Sequence, residues 1–460
     1  MATLIRNGEI ITASDRYQAD LRIEDGVVVQ IGRDLPVGPG DAVWDAAGRW
    51  VIPGGVDVHT HLDMPFMGTT SADDFYTGTR AAAAGGTTCI VDFAVSTRGQ
   101  DYEKVLDTWM AKAAGKAVFD YGLHMCMTWY DTDQARAGVR ACVERGVSSF
   151  KTFMAYKGAL GVEDPELFAF MRDAAALGIP VSMHAENGSI VESLQKSLVA
   201  EGKLAPEYHA LSRPSGVEGE ATASAIALAR YAGCKLYIVH LTCKEALDAV
   251  REARRRGQPV FAETCPQYLI FDDEVYRRPD FEGAKWVMSP PIRPKGHQEY
   301  LWHGLADGSL QAVATDHCPF DFGTQKQMGR ENFMKIPNGA PGIGDRMSVM
   351  YSYGVRPGRI DAQRWIELEA ADLLVLKAAA LYDRKQPCGA EANAAKYFAA
   401  EAGFKACETA ILTHGGMGYA KEFHVERFLR EAWVPRLAPV SPQLILSFIA
   451  EKVLGLPKSY

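Results

Sequence analysis

Val51-Ile-Pro-Gly-Gly-Val-Asp-Val-His-Thr-His61 decides the reading of this chain. An apolar run leads into His59 and His61, two residues apart. On a β-strand that spacing sends both imidazoles to one face. Two neutral imidazoles on one face can grip a divalent cation. Taken alone, the pair also fits two polar side chains at a strand end. The rest of the chain favours the metal reading, because matching residues close several later apolar runs. Pro180-Val-Ser-Met-His184 and Lys235-Leu-Tyr-Ile-Val-His240 end in histidine, and Leu310-Gln-Ala-Val-Ala-Thr-Asp316 ends in aspartate. Val147-Ser-Ser-Phe-Lys151-Thr-Phe-Met carries a lysine inside an otherwise apolar stretch. Each residue alone has a plain structural explanation: a satisfied core or rim histidine, a snorkelling lysine. Their recurrence at run ends points to one shared site.

Cys89-Ile-Val-Asp-Phe, Tyr121-Gly-Leu-His-Met and Pro259-Val-Phe-Ala-Glu also read as short buried strands, which brings the set to eight. Helical patterns lie between them, at Ala72–Ala84, Tyr102–Ala114, Asp133–Glu144, Asp164–Ala176, Gly219–Ala232, Lys244–Arg256 and Gln298–Leu305. Alternating strand and helix predicts a parallel sheet, and eight such units suit an α/β fold of the (β/α)8 (TIM) barrel type. In that fold chemistry sits at the C-terminal ends of the strands, where the candidate residues fall. Residues 1–52 read differently: short strands separated by Asn-Gly and Asp-Gly turns predict a small antiparallel sheet.

The motifs PGGVDVHTHLDMPFMG, FKTFMAYKG, HAENG, FAETCPQYL, VMSPPIR, TDHCPF and KIPNGAPGIGDRMS make residues 1 to about 366 resemble the cyclic-amidohydrolase family, specifically D-hydantoinase/dihydropyrimidinase. The resemblance implies a metal-dependent barrel over 53–366 with two zinc ions. His59, His61 and Asp316 would hold one, His184 and His240 the other, and Lys151, carbamylated by CO2, would bridge them. It further implies hydrolysis of the ring amide of 5-substituted hydantoins or 5,6-dihydropyrimidines to N-carbamoyl amino acids. Asp316 would move a proton from the attacking water to the leaving nitrogen. Tyr156 would stabilise the oxyanion. The backbone at Ser289 and Asn338 would grip the –CO–NH–CO– edge, and Met64, Phe66 and Phe153 would line the pocket for the exocyclic substituent, or else serve as ordinary loop packing.

From about Glu367 the pattern turns helical: Leu368–Tyr382, Ala390–Thr409, a glycine-marked loop at His414-Gly-Gly-Met-Gly-Tyr419, Val425–Ala432 and Ser441–Leu454. LEAADLLVLKAAALYDR, THGGMGYAKEFHVERFLREA and IAEKVLGLPKSY resemble the C-terminal helical domain of acyl-CoA dehydrogenases. That resemblance places the His-Gly-Gly loop near a flavin. The segments that would build the flavin and acyl-CoA pocket are missing, and no glutamate stands near Ala438-Pro439, where many members carry their base. The expectation is an all-α fragment over 367–460 without bound flavin, joined within 361–369 to a barrel whose N-terminal sheet is an incomplete sandwich.

The chain has 460 residues and a net charge of −8, so no nucleic-acid footprint is expected. Arg251-Glu-Ala-Arg-Arg-Arg256 reads as a solvated helix face. No signal peptide or long apolar run appears, and nine cysteines lack a disulfide pattern, which predicts a cytoplasmic, non-membrane protein. The expected partner is a small cyclic ureide, with a homo-oligomer (dimer or tetramer) if the tail permits. Three readings compete: a zinc-dependent cyclic amidase, a non-catalytic scaffold of the same fold or a fusion impaired in folding, and a flavin enzyme acting through the tail. Scaffold relatives lack the metal ligands, whereas every ligand position is filled here.

Overall fold

The computed structural model describes residues 2–13, 15–368, 404, 407–408, 410–412, 414–423, 425–437 and 440–452. It divides into two compact units: unit one, Met1–Pro53 together with Ala362–Tyr460, and unit two, Gly54–Asp361.

Unit one opens with a sheet of five strands: β1 Thr3–Ile11, β2 Arg16–Glu24, β3 Val27–Gly32, β4 Ala42–Asp45 and β5 Trp50–Val51. β1 pairs antiparallel with β2, but parallel with β4 and β5. The sheet is therefore mixed, not antiparallel as the turn signals predict. The chain leaves β3 by a long loop and returns beside β1, which turn chemistry alone does not reveal. Ile10, Ala19 and Leu21 form its small core. In the C-terminal part, Val425–Ala432 is helical as expected, and the helix expected over Ser441–Leu454 is described over Pro442–Lys452. In the stretch expected as a glycine-marked loop, Gly415–Tyr419 forms a 3-10 turn with His414 at its N-cap position. The helices expected at Leu368–Tyr382 and Ala390–Thr409 fall largely outside the described residues.

Unit two is the barrel. Its sheet runs β6 Gly55–Thr60, β9 Thr87–Val95, β10 Asp120–Cys126, β11 Phe150–Phe153, β12 Val181–His184, β13 Leu236–Ile238, β14 Val260–Thr264 and β15 Ala312–Val313 in neighbour order, with every pair parallel. A two-strand ribbon, β7 Pro65–Phe66 with β8 Thr69–Thr70, follows β6. Helices fill the crossovers: α1 Phe75–Ala84, α2 Tyr102–Ala113, α3 Asp133–Glu144, α4 Asp164–Ala176, α5 Gly188–Ala200, α6 Glu207–Leu211, α7 Ser215–Ala232, α8 Lys244–Arg255, α9 Pro266–Ile270 and α10 His297–Ala306. Their starts follow local chemistry. Asp74 caps α1, accepting from the N–H groups of Tyr76 and Thr77, while the Thr77 hydroxyl reaches back to accept from the Asp74 N–H. α7 ends on Gly233 at φ 72°, which lets its last carbonyls pair before β13 begins.

The buried carboxylate of Asp57 stitches the first strand to the last. It accepts from the Thr315 N–H at 3.1 Å and the Thr315 hydroxyl at 2.5 Å. The His61 N–H donates to the His317 carbonyl at 2.8 Å. These bonds nearly close the barrel and bring the end of β15 beside His59 and His61.

Candidate metal centre

The candidate ligands other than Lys151 lie at or just past the C-terminal end of a barrel strand, and Lys151 lies within one. His59 is the fifth residue of β6 and His61 follows its end; Lys151 is the second residue of β11; His184 closes β12. His240 and Asp316 lie beyond the regular ends of β13 and β15, which are shorter than the apolar runs suggest. At both, the backbone turns into the left-handed region, φ 40° at His240 and 52° at Asp316, and Tyr156 does the same at 57°. Side-chain-bearing residues avoid that region unless their surroundings enforce it, and such strain gathers at functional sites.

The histidines and Lys151 are buried, His59 completely. Asp316 Oδ1 lies 3.1 Å from His59 Nε2 and 3.3 Å from His61 Nε2. Lys151 Nζ stands 2.7 Å from His59 Nε2, and His184 Nδ1 is 3.0 Å from His240 Nε2. The rings of His59 and His240 are 5.4 Å apart, which links the two sub-clusters. Two ligand atoms at about 2.0–2.1 Å from one tetrahedral cation stand roughly 3.3 Å apart, close to these separations. Among the described residues, the buried His61 Nδ1 and His240 Nδ1 meet no hydrogen-bond partner. The donor set of imidazoles, a carboxylate and an amine that can become a carboxylate fits borderline divalent cations such as zinc.

Electrostatics favour the ligand-competent forms of His61, His240, Lys151 and Asp316. At His59 burial and Lys151 work downward, but the charges of Asp316 and Glu263 raise the imidazole above its ordinary value. Burial pushes His61 down to about 3 and His240 well below its ordinary value, so their rings are neutral. Burial also lowers the Lys151 ammonium. Burial works to raise Asp316, yet the charge and hydrogen bond of His59, with a hydrogen bond from His61, hold its carboxyl well below the usual range.

Around the ligands stand residues that the sequence reading left without a role. Glu263, at the end of β14, accepts from His59 Nδ1 at 2.5 Å, from the Tyr237 hydroxyl at 2.8 Å and from the His240 N–H at 3.2 Å. The first bond fixes the tautomer that leaves the His59 Nε2 lone pair facing the cluster. Glu186 plays the same part for His184, at 2.8 Å from its Nε2, and accepts from Arg213. Burial works to raise Glu186, but Arg213 and His184 bring it down to about 2. The available signal was a glutamate inside a buried run, costly unless partnered. His317, beside Asp316, turns away: it pairs with Asp73 at 3.0 Å and accepts from the Gly342 and Ile343 N–H groups.

The remaining expected residues gather on one side. Burial raises the pKa of the Tyr156 hydroxyl while Ser289 and Asn338 act on it to lower it, and Asn338 Nδ2 donates to Ser289 Oγ at 3.0 Å. The Tyr156 ring meets those of Phe66 at 5.8 Å, Phe153 at 6.1 Å and His184 at 5.4 Å. Met64 packs with Cys318 and Phe320 against Phe66, so Cys318 is a packed thiol.

A (β/α)8 barrel with buried histidines, an aspartate and a lysine converging at its strand ends defines a class of hydrolase. Residues 50–351 match the model of the Amidohydrolase family. The chain is 48% identical over 368 residues to the D-hydantoinase of Geobacillus stearothermophilus, covering 80% of this chain and 78% of that one. It is 41% identical over 370 residues to the dihydropyrimidinase of Arabidopsis thaliana, covering 80% and 69%. The crystal structure of a dihydropyrimidinase from Brevibacillus agri superposes with a TM-score of 0.79 at 48% identity, over 81% of each chain. The chain belongs to the amidohydrolase family, as a cyclic amidohydrolase of the D-hydantoinase/dihydropyrimidinase group. Residues 362–454 match a second model, Acyl-CoA dehydrogenase, C-terminal domain.

Proposed function

We propose that this chain opens the ring of 5-substituted hydantoins or 5,6-dihydropyrimidines by hydrolysis of the cyclic amide, releasing N-carbamoyl amino acids. One observation carries the reading: His59, His61, Lys151, His184, His240 and Asp316, far apart in sequence, meet in one buried cluster at the strand ends. His59, His61 and Asp316 would hold one zinc ion and His184 with His240 a second, bridged by carbamylated Lys151. When bound, such a pair lowers the pKa of a water and polarises a carbonyl.

The chain's own groups supply the rest. Asp316, held ionised, accepts the proton from the attacking water and returns it to the ring nitrogen as the C–N bond breaks. The Tyr156 hydroxyl donates to the carbonyl oxygen as it gains negative charge. The backbone at Ser289 and Asn338 grips the planar –CO–NH–CO– edge and sets which carbonyl faces Asp316. Met64, Phe66 and Phe153 receive the exocyclic substituent and exclude water. Among the described residues no helix is long and apolar enough to cross a membrane. The described cysteines are free thiols, which supports a reducing, cytoplasmic setting. A dimer or tetramer, where the tail allows it, and the absence of flavin belong to the same reading.

The test is an assay of the purified full chain on both rings, with metal content measured on the same sample. About two zinc ions per chain and ring opening are expected, and His59→Ala should lose metal and nearly all turnover. A zinc-loaded sample inert on both rings, or full activity without metal, overturns the reading.

A further inference from the structure

Lys326 is buried, 2% exposed, and belongs neither to the ligand cluster nor to the pocket wall. It sits in a short 3-10 turn, Lys326–Gly329, beyond the end of β15. Its ammonium donates to three backbone carbonyls: Val287 at 2.9 Å, Pro337 at 2.7 Å and Gly339 at 2.7 Å. An ammonium has three N–H donors, so the set is fully used. The acceptors are informative. Pro337 and Gly339 flank Asn338 on both sides, and Val287 lies two residues before Ser289. One cation thus ties together the two segments that present Ser289 and Asn338. With the carbonyls on either side of it drawn to Nζ, Asn338 extends its own amide to Ser289 Oγ. The Gly339 N–H adds a bond to the Val287 carbonyl at 3.0 Å. Gly339 itself, at φ 151°, has the Cys318 carbonyl 2.2 Å from where a Cβ would lie, so the segment packs too closely there for any side chain.

We infer that Lys326 is a positioning residue for substrate recognition: its ammonium holds the Val287–Ser289 and Pro337–Gly339 segments at the spacing that lets them grip the imide edge of the ring. The inference rests on the function proposed above. Lys326 touches neither the metal ligands nor the reacting atoms, so its loss should weaken ring binding while leaving the chemistry largely intact.

The test compares the full chain with Lys326→Met and with Lys326→Gln, which keeps two N–H donors. KM, kcat per metal-loaded chain and zinc content are measured, together with calorimetric binding of dihydrouracil to metal-stripped protein. Lys326→Met should raise KM and the dissociation constant about tenfold with kcat changed less than about threefold, and Lys326→Gln should fall between. If Lys326→Met does not fold, Lys326→Gln decides by the same measurements. An unchanged KM and dissociation constant, with only kcat or zinc content falling, overturns the inference and leaves Lys326 a structural tie. Should the parent chain turn over neither ring, the proposed reaction fails. The inference still stands if the parent binds dihydrouracil and the variants bind it more weakly, and falls if the parent does not bind it.

Discussion

His59 shows how a single side chain is prepared for its task. Its Nδ1 side is held by Glu263, and its Nε2 side faces Asp316 and Lys151. The histidine pair was legible in the sequence because a period of two on a strand is a simple rule. Glu263 was not, because which buried glutamate meets which histidine depends on how neighbouring strands align. Glu263→Gln keeps the length but removes the charge that orients the imidazole. It should weaken metal affinity about 10–100-fold, as is usual for the partner of a ligating histidine, measured by chelator competition. Unchanged affinity would show that packing alone orients His59. Lys151 invites a second test. An amine buried among histidines is costly as an ammonium and useful as a carbamate. Lys151→Ala should lose bound metal and activity, with partial recovery when a short carboxylic acid supplies the missing oxygens. Unaltered zinc content would refute the bridging role.

At the scale of elements, the parallel strands and most crossover helices followed from apolar runs and helical periods. The ends of β13 and β15 did not. Their apolar runs continue into residues that have left the ladder, because His240 and Asp316 take left-handed backbone geometry that no periodicity encodes. The departure from strand geometry accompanies the delivery of both side chains to the cluster. Barrel closure was equally hidden. Asp57 belongs to the motif that opened the reading, yet its part emerges only when β6 and β15 meet. Besides Thr315, its carboxylate accepts from the His59 N–H at 3.3 Å. Asp57→Ala would strand these donors in a dry interior, at about 3 kcal/mol. The barrel transition of the zinc-loaded protein should drop by about 6–12 °C in a thermal melt. A melt shifted by less than about 2 °C would mean that the ladder closes without the carboxylate.

The whole chain joins two sequence patterns that differ in kind. Residues 50–351 match one family model and 362–454 another, and the hydantoinase relative extends beyond the shared part, with 78% of its length covered. The change of pattern is visible in the sequence, because the hydrophobic period passes from alternating strand and helix to helix alone. How the two halves of unit one coexist was not readable, since a helical pattern does not say what its apolar face meets. Within that unit the sheet is thinly covered: β4 is exposed along its length, with Trp44 67% exposed, and Val27 and Ile31 of β3 also face solvent. Among the described C-terminal residues Leu412, Tyr419, Val434 and Leu437 are exposed as well. Apolar surface of this kind, beside a sheet whose path ends on the exposed strands β3 and β4, favours association between chains. The expected consequence is low solubility or a low melting temperature for unit one, while the barrel, which holds its own core and closure, keeps the capacity to bind the metal proposed for it. Replacing 367–460 by a hydantoinase C-terminus should raise the first melting transition and reduce aggregation in light scattering, with zinc content unchanged. Equal melting temperatures and the same oligomeric state in both chains would show that residues 367–460 cover the N-terminal sheet adequately.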